Sequence, residues 1–97
     1  MTDRLVVPDG PDFAARAEFT TTASRLIERA AESIEVDCSG VSVADDPTVG
    51  MLVWLTRNAR RRGLPVVLQS PTPVLLAALG RAGVLDRFGV AEVSGGD

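Results

Sequence analysis

The chain has 97 residues, one cysteine, no histidine and no tyrosine, and its formal net charge is −3 at pH 7. A chain of this length is predicted to form one small domain, residues 1–97, which buries roughly two-thirds of its unfolded surface without a metal or a disulfide. The negative charge, with residues 57–62 as the one concentrated basic tract, argues against nucleic acid as the main ligand.

Targeting and membrane signals are not expected in this sequence. Arg4 and the run Asp-Gly-Pro-Asp at residues 9–12 interrupt the early apolar segment, so no signal peptide is predicted. No apolar run approaches the roughly 20 residues that a membrane span needs. The sequence therefore predicts a cytoplasmic protein that is not inserted in a membrane. Cys38 lies in an apolar strand and is expected to be a buried small hydrophobic residue.

The first part of the chain predicts a strand followed by a helix. Residues 4–8 form a short strand that ends at the turn-forming sequence Pro-Asp-Gly-Pro-Asp. Asp12 is placed to cap a helix, and Phe13 is expected to plug the sheet near the start of that helix. The spacing predicts one buried stripe, made by Phe19, Ala23, Leu26, Ile27 and Ala30.

The second strand–helix unit contains the strongest helix-start signal of the chain. Residues 34–38 alternate apolar and polar side chains, which indicates a strand with one face more buried than the other. A helix of about residues 48–62 follows. Asp46 is expected to be its N-cap, because an Asp side chain accepts hydrogen bonds from the free amides of the first turn. Pro47 is expected to be its first helical residue, because proline has no amide hydrogen and loses no hydrogen bond there. Gly63 ends the helix.

The third unit repeats this arrangement. Pro65 is expected to start a strand whose buried part is residues 66–68. Thr72 is expected to cap a third helix, with Pro73 as its first residue, and Gly83 ends that helix.

The remaining residues complete the predicted fold. Leu85 and Phe88 are expected to fold back onto the core, and residues 89–93 to form a short final strand before a frayed tail. Alternating strands and helices predict an α/β fold with a mixed, mostly parallel sheet of about four strands flanked by three helices. The direction of the first strand is left open.

The stretch from residue 36 to residue 63 resembles the core of the STAS domain, the module named for sulfate transporters and anti-sigma factor antagonists. Members usually carry a strand ending in a Leu-Ser-Gly-Val-like run, then Asp-Ser-Ser-Gly-Leu-Gly or a close variant, then a helix. The matching residues here are Asp37, Ser39, Gly40, Val41, Ser42, Asp45, Val49, Gly50 and Leu52. The resemblance continues through residues 62–69 to a closing helix with Leu79, Gly83, Val84, Leu85, Asp86 and Phe88.

The resemblance implies a non-enzymatic protein-interaction module that regulates transcription or signalling by binding an anti-sigma factor or a serine-kinase-like protein. In partner-switching members, a Ser or Thr directly after the Asp is phosphorylated, and the matching position here is Asp46. A phosphate adds a charge of about −1.5 to −2, whereas Asp46 supplies a fixed negative charge. Reversible phosphorylation at this position is therefore not expected.

The resemblance also implies a second kind of partner. Small free-standing STAS proteins serve as cytoplasmic subunits of phospholipid-transporting ABC systems, in which they bind the ATPase subunit with the same helix start. The sequence leaves the choice between the two partner classes open. It also leaves open whether the chain forms a homodimer.

The partner-binding surface is predicted at the start of the second helix and along one of its faces. The residues assigned to it are Asp45, Asp46, Pro47, Thr48, Met51, Trp54 and Asn58. This helix has more apolar surface than one core stripe requires. One set of side chains is predicted to pack on the sheet: Val49, Leu52, Val53 and Thr56. A second set lies on the neighbouring face of the helix: Met51, Trp54, Leu55 and Asn58. Trp and Met are typical of binding surfaces, although a wide buried stripe is the alternative.

The last turn of the same helix carries a basic cluster, Arg57, Arg60, Arg61 and Arg62. Cations at a helix C-terminus are stabilised by the helix dipole, by about 0.3–1 kcal/mol each. The cluster is interpreted as a solvated helix end, and a rim that attracts an acidic partner is the alternative.

No catalytic, metal or cofactor site is predicted. Without histidine and with a single cysteine, the chain lacks the usual general base, a Cys/His metal cluster and a Ser-His-Asp triad. Asp45 and Asp46 diverge at a helix start, and no further oxygen ligands are spaced to complete a calcium loop. The sequence does not decide whether phosphorylation occurs at Thr48 or on the first helix, at Thr20, Thr21 or Thr22.

Overall fold

The computed structural model describes residues 5–10, 12–29 and 32–91. Within these residues the elements are β1 (Leu5–Val6), α1 (Phe13–Arg29), β2 (Ile34–Asp37), α2 (Asp46–Arg61), β3 (Val66–Gln69), α3 (Pro73–Arg81) and β4 (Gly89–Ala91), with a 3₁₀ turn at Leu85–Arg87. The predicted α/β fold is confirmed. The features predicted at Arg4, at Ala30 and at residues 92–97 lie outside the described residues.

The four strands form one sheet in the order β1-β2-β3-β4, and its three pairings are parallel. Leu5 lies opposite Val36, so the first strand, whose direction the sequence left open, runs parallel to its neighbour. Successive parallel neighbours joined by right-handed crossovers place α1, α2 and α3 on the same face of the sheet. Because each helix follows a strand, the three helices begin at the carboxyl edge of the sheet.

The core lies between the sheet and the three helices. Alternate strand residues point toward the helices and are buried: Leu5, Val7, Ile34, Val36, Cys38, Val66 and Leu68. The main helix residues that meet them are Phe19, Ala23, Ile27, Leu52, Leu55, Leu75 and Leu79. Val6 and Glu35 alternate with these strand residues and are exposed.

Several local predictions are confirmed. The Asp12 carboxylate accepts a hydrogen bond from the Ala15 amide at 2.8 Å and caps α1. Thr72 caps α3, and Gly83 follows that helix with a φ of 73°, the left-handed conformation that glycine tolerates. Cys38 is buried, and burial followed by the charge of Asp37 raises the pKa of its thiol to about 12.

Two predictions about helix starts are wrong. Phe13 does not plug the sheet but is 79 % exposed, because it precedes Phe19 by six residues, which is not a whole number of helical turns. The N-cap of α2 is Asp45, and Asp46 is the first helical residue. Asp45 has the extended backbone that an N-cap needs, and its carboxylate accepts from the Thr48 amide.

Candidate protein-interaction surface

Three loops meet at the carboxyl edge of the sheet, where the three helices begin. They comprise residues 7–10 and 12 after β1, residues 38–45 after β2 and residues 70–72 after β3. Because β2 lies between β1 and β3, residues 38–45 form the middle loop and lead directly into α2. This edge of a parallel sheet is where α/β proteins usually place their binding residues.

Hydrogen bonds fix the middle loop from both sides. From the first loop, the Asp9 carboxylate accepts from the Ser42 hydroxyl at 2.6 Å and from the amides of Ser42 and Val43 at 2.9 and 3.3 Å. From the third loop, the Thr72 hydroxyl donates to the Val41 carbonyl at 2.7 Å. The bond to the Ser42 hydroxyl, followed by the bond to its amide, lowers the pKa of Asp9 from its ordinary value.

The carboxylate of Asp45 forms hydrogen bonds with the first turn of α2. Its Oδ1 atom accepts from the Thr48 hydroxyl at 2.8 Å and from the Thr48 amide at 3.1 Å. The hydroxyl bond, followed by the amide bond, lowers the pKa of Asp45, and the Arg16 guanidinium on α1 has a smaller effect in the same direction. Asp45 therefore serves α2 itself, and its neighbour Asp46 is exposed without a part in the cap.

Exposed apolar side chains occur in the loops and helix starts at the carboxyl edge of the sheet. The exposed fractions are 79 % for Phe13, 53 % for Val43 and 40 % for Val74. Phe13 and Val74 belong to the first turns of α1 and α3, and Val43 belongs to the middle loop. Sequence reasoning missed all three as surface residues, although the position of Phe13 off the buried stripe of α1 was a usable signal.

The residues assigned to the surface from the sequence differ in their burial. Asp45, Asp46 and Pro47 are exposed, and Trp54 and Asn58 are half-buried. Two others are buried in the core, Thr48 with 0 % of its surface exposed and Met51 with 7 %. Thr48 and Met51 therefore offer no surface to a partner, which corrects their assignment.

The buried stripe of α2 is rotated from the one predicted. Its members are Thr48, Met51, Leu52, Leu55, Thr56 and Ala59. Val49 and Val53, which the sequence assigned to sheet packing, are only half-buried. The hydrogen bonds from Thr48 to Asp45 hold the Thr48 side chain on the inner side, and the residues three, four, seven, eight and eleven positions later follow it on the same face.

The outward side of α2 carries a shallow groove of about 710 Å³. Its lining residues are Asp46, Val49, Gly50, Val53, Trp54, Arg57, Asn58 and Arg61. A second cavity of about 250 Å³ lies between α1 and α2 and shares Trp54, Asn58 and Arg61 with the groove. The Asn58 amide donates to the Trp54 carbonyl at 2.8 Å, which holds the Asn58 side chain along the helix.

A family model described as "Mlab, STAS domain" matches residues 9–90. This chain belongs to the STAS domain family. The matched region starts at Asp9, which anchors the middle loop, and includes the whole of α2. No curated protein matches the chain. STAS domains are in general non-enzymatic.

The threonine hydroxyl groups for which the sequence left phosphorylation undecided lie in different environments in this STAS domain. The Thr48 hydroxyl is buried and donates to Asp45, so a kinase cannot reach it in this conformation. Thr20 and Thr21 are exposed on α1, and each hydroxyl donates to the carbonyl four residues earlier at 3.0 Å. Thr22 is half-buried.

Residues 5–10, 12–29 and 32–91 contain neither a candidate metal site nor a helix suited to spanning a membrane. No group of three or more His, Cys, Asp or Glu side chains there is arranged to hold a metal ion. None of the helices in these segments has the length and apolar character needed to cross a membrane.

Proposed function

We propose that this STAS domain is a non-enzymatic module that binds another protein through the carboxyl edge of its sheet and the outward side of α2. The observation that carries the proposal is the exposure of Phe13, Val43 and Val74 at the carboxyl edge of the sheet, where the charged start of α2 also lies. Exposed apolar side chains grouped beside charged residues are typical of protein interfaces.

The hydrogen bonds of the middle loop support this proposal. Asp9 and Thr72 hold the loop in one conformation through bonds to its backbone and to Ser42. A loop that is ordered before binding loses less conformational entropy when a partner arrives. The surface is therefore suited to binding a partner without a large rearrangement.

The partner class that we propose is an anti-sigma factor or a serine-kinase-like protein, so that the domain regulates transcription or signalling. Membership of the STAS family supports this class, and so does the exposure of Asp46 at the position where partner-switching members are phosphorylated. Because Asp45 forms the cap, the charge of Asp46 is available to a partner. We propose that this constant charge replaces reversible phosphorylation.

The second candidate is the ATPase subunit of a phospholipid-transporting ABC system. It is favoured by the description of the matching family, which names Mlab and does not name an anti-sigma factor antagonist. Both candidates use the same surface of this chain. They differ in the protein that binds it.

The proposal can be tested by affinity capture from the native cytoplasm followed by mass spectrometry and by binding measurements with the purified partner. We expect Phe13→Ala and Val43→Thr each to raise the Kd by at least about tenfold. Val90→Thr is the matched control, because Val90 is 47 % exposed on β4 and belongs to none of the three loops. Equal affinities for the wild type and all three variants would contradict the proposal.

The role of the charge at Asp46 needs a separate comparison. Asp46→Asn keeps the shape of the side chain and removes its charge, and Asp46→Ser introduces the hydroxyl that family members carry. We expect both variants to keep the fold and to change the partner affinity, with a weaker dependence on salt. Unchanged affinity in both variants would show that the charge of Asp46 has no role in partner binding.

A further inference from the structure

Gly50 lies on the outward side of α2 in its second turn, and the packing of the domain does not require a glycine there. A Cβ atom added at Gly50 would meet no atom within 4 Å, and the backbone does not adopt a positive φ. Glycine is unfavourable in a helix interior, so the stability of the domain alone would favour alanine. A glycine does, however, leave room for another backbone to approach the helix closely.

The groove around Gly50 has an apolar centre and ends of opposite charge. Its centre is formed by half-buried side chains, Val49, Val53 and Trp54. Asp46 is exposed at the N-terminal end, and Arg57 and Arg61 are exposed toward the C-terminal end. The span from Asp46 to Arg61 corresponds to about 22 Å along the helix axis, or about four helical turns.

We propose that this groove binds an amphipathic helix of the partner protein, lying antiparallel to α2 with a small residue against Gly50. The proposal rests on the proposed function and names the element of the partner that α2 binds. Amphipathic helices commonly bind in apolar grooves through side chains at positions i, i+3, i+4 and i+7. The smaller cavity beside Trp54 offers a site for one of these anchoring side chains.

The charges of the groove determine the direction of the partner helix. Acidic residues are favoured in the first turn of a helix, and basic residues in its last turn. In the antiparallel arrangement, the acidic first turn faces Arg57 and Arg61, and the basic last turn faces Asp46. A parallel helix with the same charge order would place like charges together at both ends, which disfavours it.

A display library of four-turn helices without tryptophan tests this proposal. The helices share an alanine scaffold, and the positions on one face are randomised. Selected peptides are then measured with the full chain by the fluorescence of Trp54, which is its single tryptophan and lines the groove. We expect selection of acidic residues in the first turn, basic residues in the last turn and a small residue about one turn before that basic turn, opposite Gly50.

A nitroxide label on a selected peptide tests the direction. With the label at the peptide's N-terminus, we expect broadening of the amide signals of Arg57 and Arg61. With the label at its C-terminus, we expect broadening of the signals of Asp46 and its neighbours. The opposite pattern would overturn the antiparallel arrangement.

Two glycine variants form a matched pair that tests the close contact between the partner helix and Gly50. Gly50→Leu should weaken binding of the selected peptides at least tenfold, because the larger side chain keeps the partner helix away. Gly80→Leu on α3 should leave binding unchanged, since Gly80 is equally open but lies outside the groove. Circular dichroism of both variants verifies that the fold is kept.

A triple variant, Asp46→Lys, Arg57→Glu and Arg61→Glu, tests the charge order. Selection with this variant should give peptides with the reversed order of charges. A library that yields no binder, peptides that bind Gly50→Leu as well as the wild type, or an unchanged charge order would overturn the proposal. If the natural partner still requires Phe13 and Val43, such a result rejects the binding of a partner helix in the groove. The proposed function would then still hold.

Discussion

Helices α2 and α3 begin in almost the same way, although only α2 belongs to the proposed groove. Each has a side-chain cap, Asp45 or Thr72, and each has a proline in its first turn, Pro47 or Pro73. The two caps satisfy free amides at helix starts, which every helix has. A strong helix-start signal therefore locates a helix and does not by itself locate a binding surface.

The two helices differ in the side that faces away from the sheet. α2 has 16 residues and α3 has 9, and both contain an exposed glycine, Gly50 or Gly80. The surroundings of Gly50 include Trp54 and charged residues at both ends of a groove, whereas Gly80 lines no part of that groove. The neighbours of the glycine, and not the glycine itself, distinguish the proposed binding helix.

The largest expected effect concerns the third residue of each helix, which is Thr48 in α2 and Leu75 in α3. Both are fully buried. We expect Leu75→Ala to lower the free energy of unfolding by about 2–5 kcal/mol, because it leaves a cavity. Thr48→Ala loses one hydroxyl bond and one methyl group and should lower it by about 1–2 kcal/mol. Urea unfolding measures both losses of stability. Equal losses would show that the contact between Asp45 and the Thr48 side chain stabilises the domain more than a helix cap does.

A smaller effect is expected for Trp54, which is half-buried. Trp54→Ala should lower the free energy of unfolding by about 1–2 kcal/mol, below the roughly 3–5 kcal/mol of an emptied aromatic core site. It should also weaken partner binding at least about tenfold. Leu76→Ala on α3 is the control, because Leu76 is also half-buried but lies outside the groove. A similar loss of binding in Trp54→Ala and Leu76→Ala would show that the weaker binding results from lower stability alone.

The two caps should respond differently to acid. The pKa of Asp45 lies below its ordinary value of 3.8, chiefly because of the Thr48 hydroxyl. A carboxyl with a lowered folded-state pKa stabilises the fold fully above the unfolded pKa, and this contribution is lost as the pH falls through the folded value. The start of α2 should thus weaken below about pH 4, together with the loop that Asp9 holds.

Hydrogen exchange during acidification measures this difference. Amides 48–50 of α2 should lose protection before amides 75–77 of α3, whose Thr72 cap carries no charge. Asp45→Asn keeps a capping oxygen and should reduce the acid sensitivity at α2. Simultaneous loss of protection at both helix starts, in the wild type and in the variant, would contradict this expectation.

The smallest expected effect is a gain in stability from replacing either glycine. Gly50→Ala and Gly80→Ala should each raise the free energy of unfolding by about 0.5–1 kcal/mol, because both sites are open and helical. Only Gly50→Ala should also weaken binding to the partner. Thermal unfolding and binding titrations on the same samples separate the two effects, and a loss of stability at Gly50 would reveal a structural requirement for glycine there.

Much of the fold followed from local patterns. The alternation of strands and helices, the caps at Asp12 and Thr72 and the end of α3 at Gly83 depend on side chains within a few residues of each other. The burial of Cys38 followed from its place in an apolar strand. The motif spacing was sufficient to identify the STAS family, because it records the order of strand, loop and helix.

The sequence by itself therefore determined the fold class, most helix starts and the family, since these arise from contacts that are close along the chain. Only the tertiary structure decided which side of α2 is outward and which apolar side chains remain exposed at the carboxyl edge. The bond between Asp9 and Ser42 joins residues 33 positions apart, and the exposure of Val43 depends on which elements pack around the middle loop. Such contacts depend on how the strands and helices pack together, and neither residue spacing nor hydrophobic periodicity contains that information.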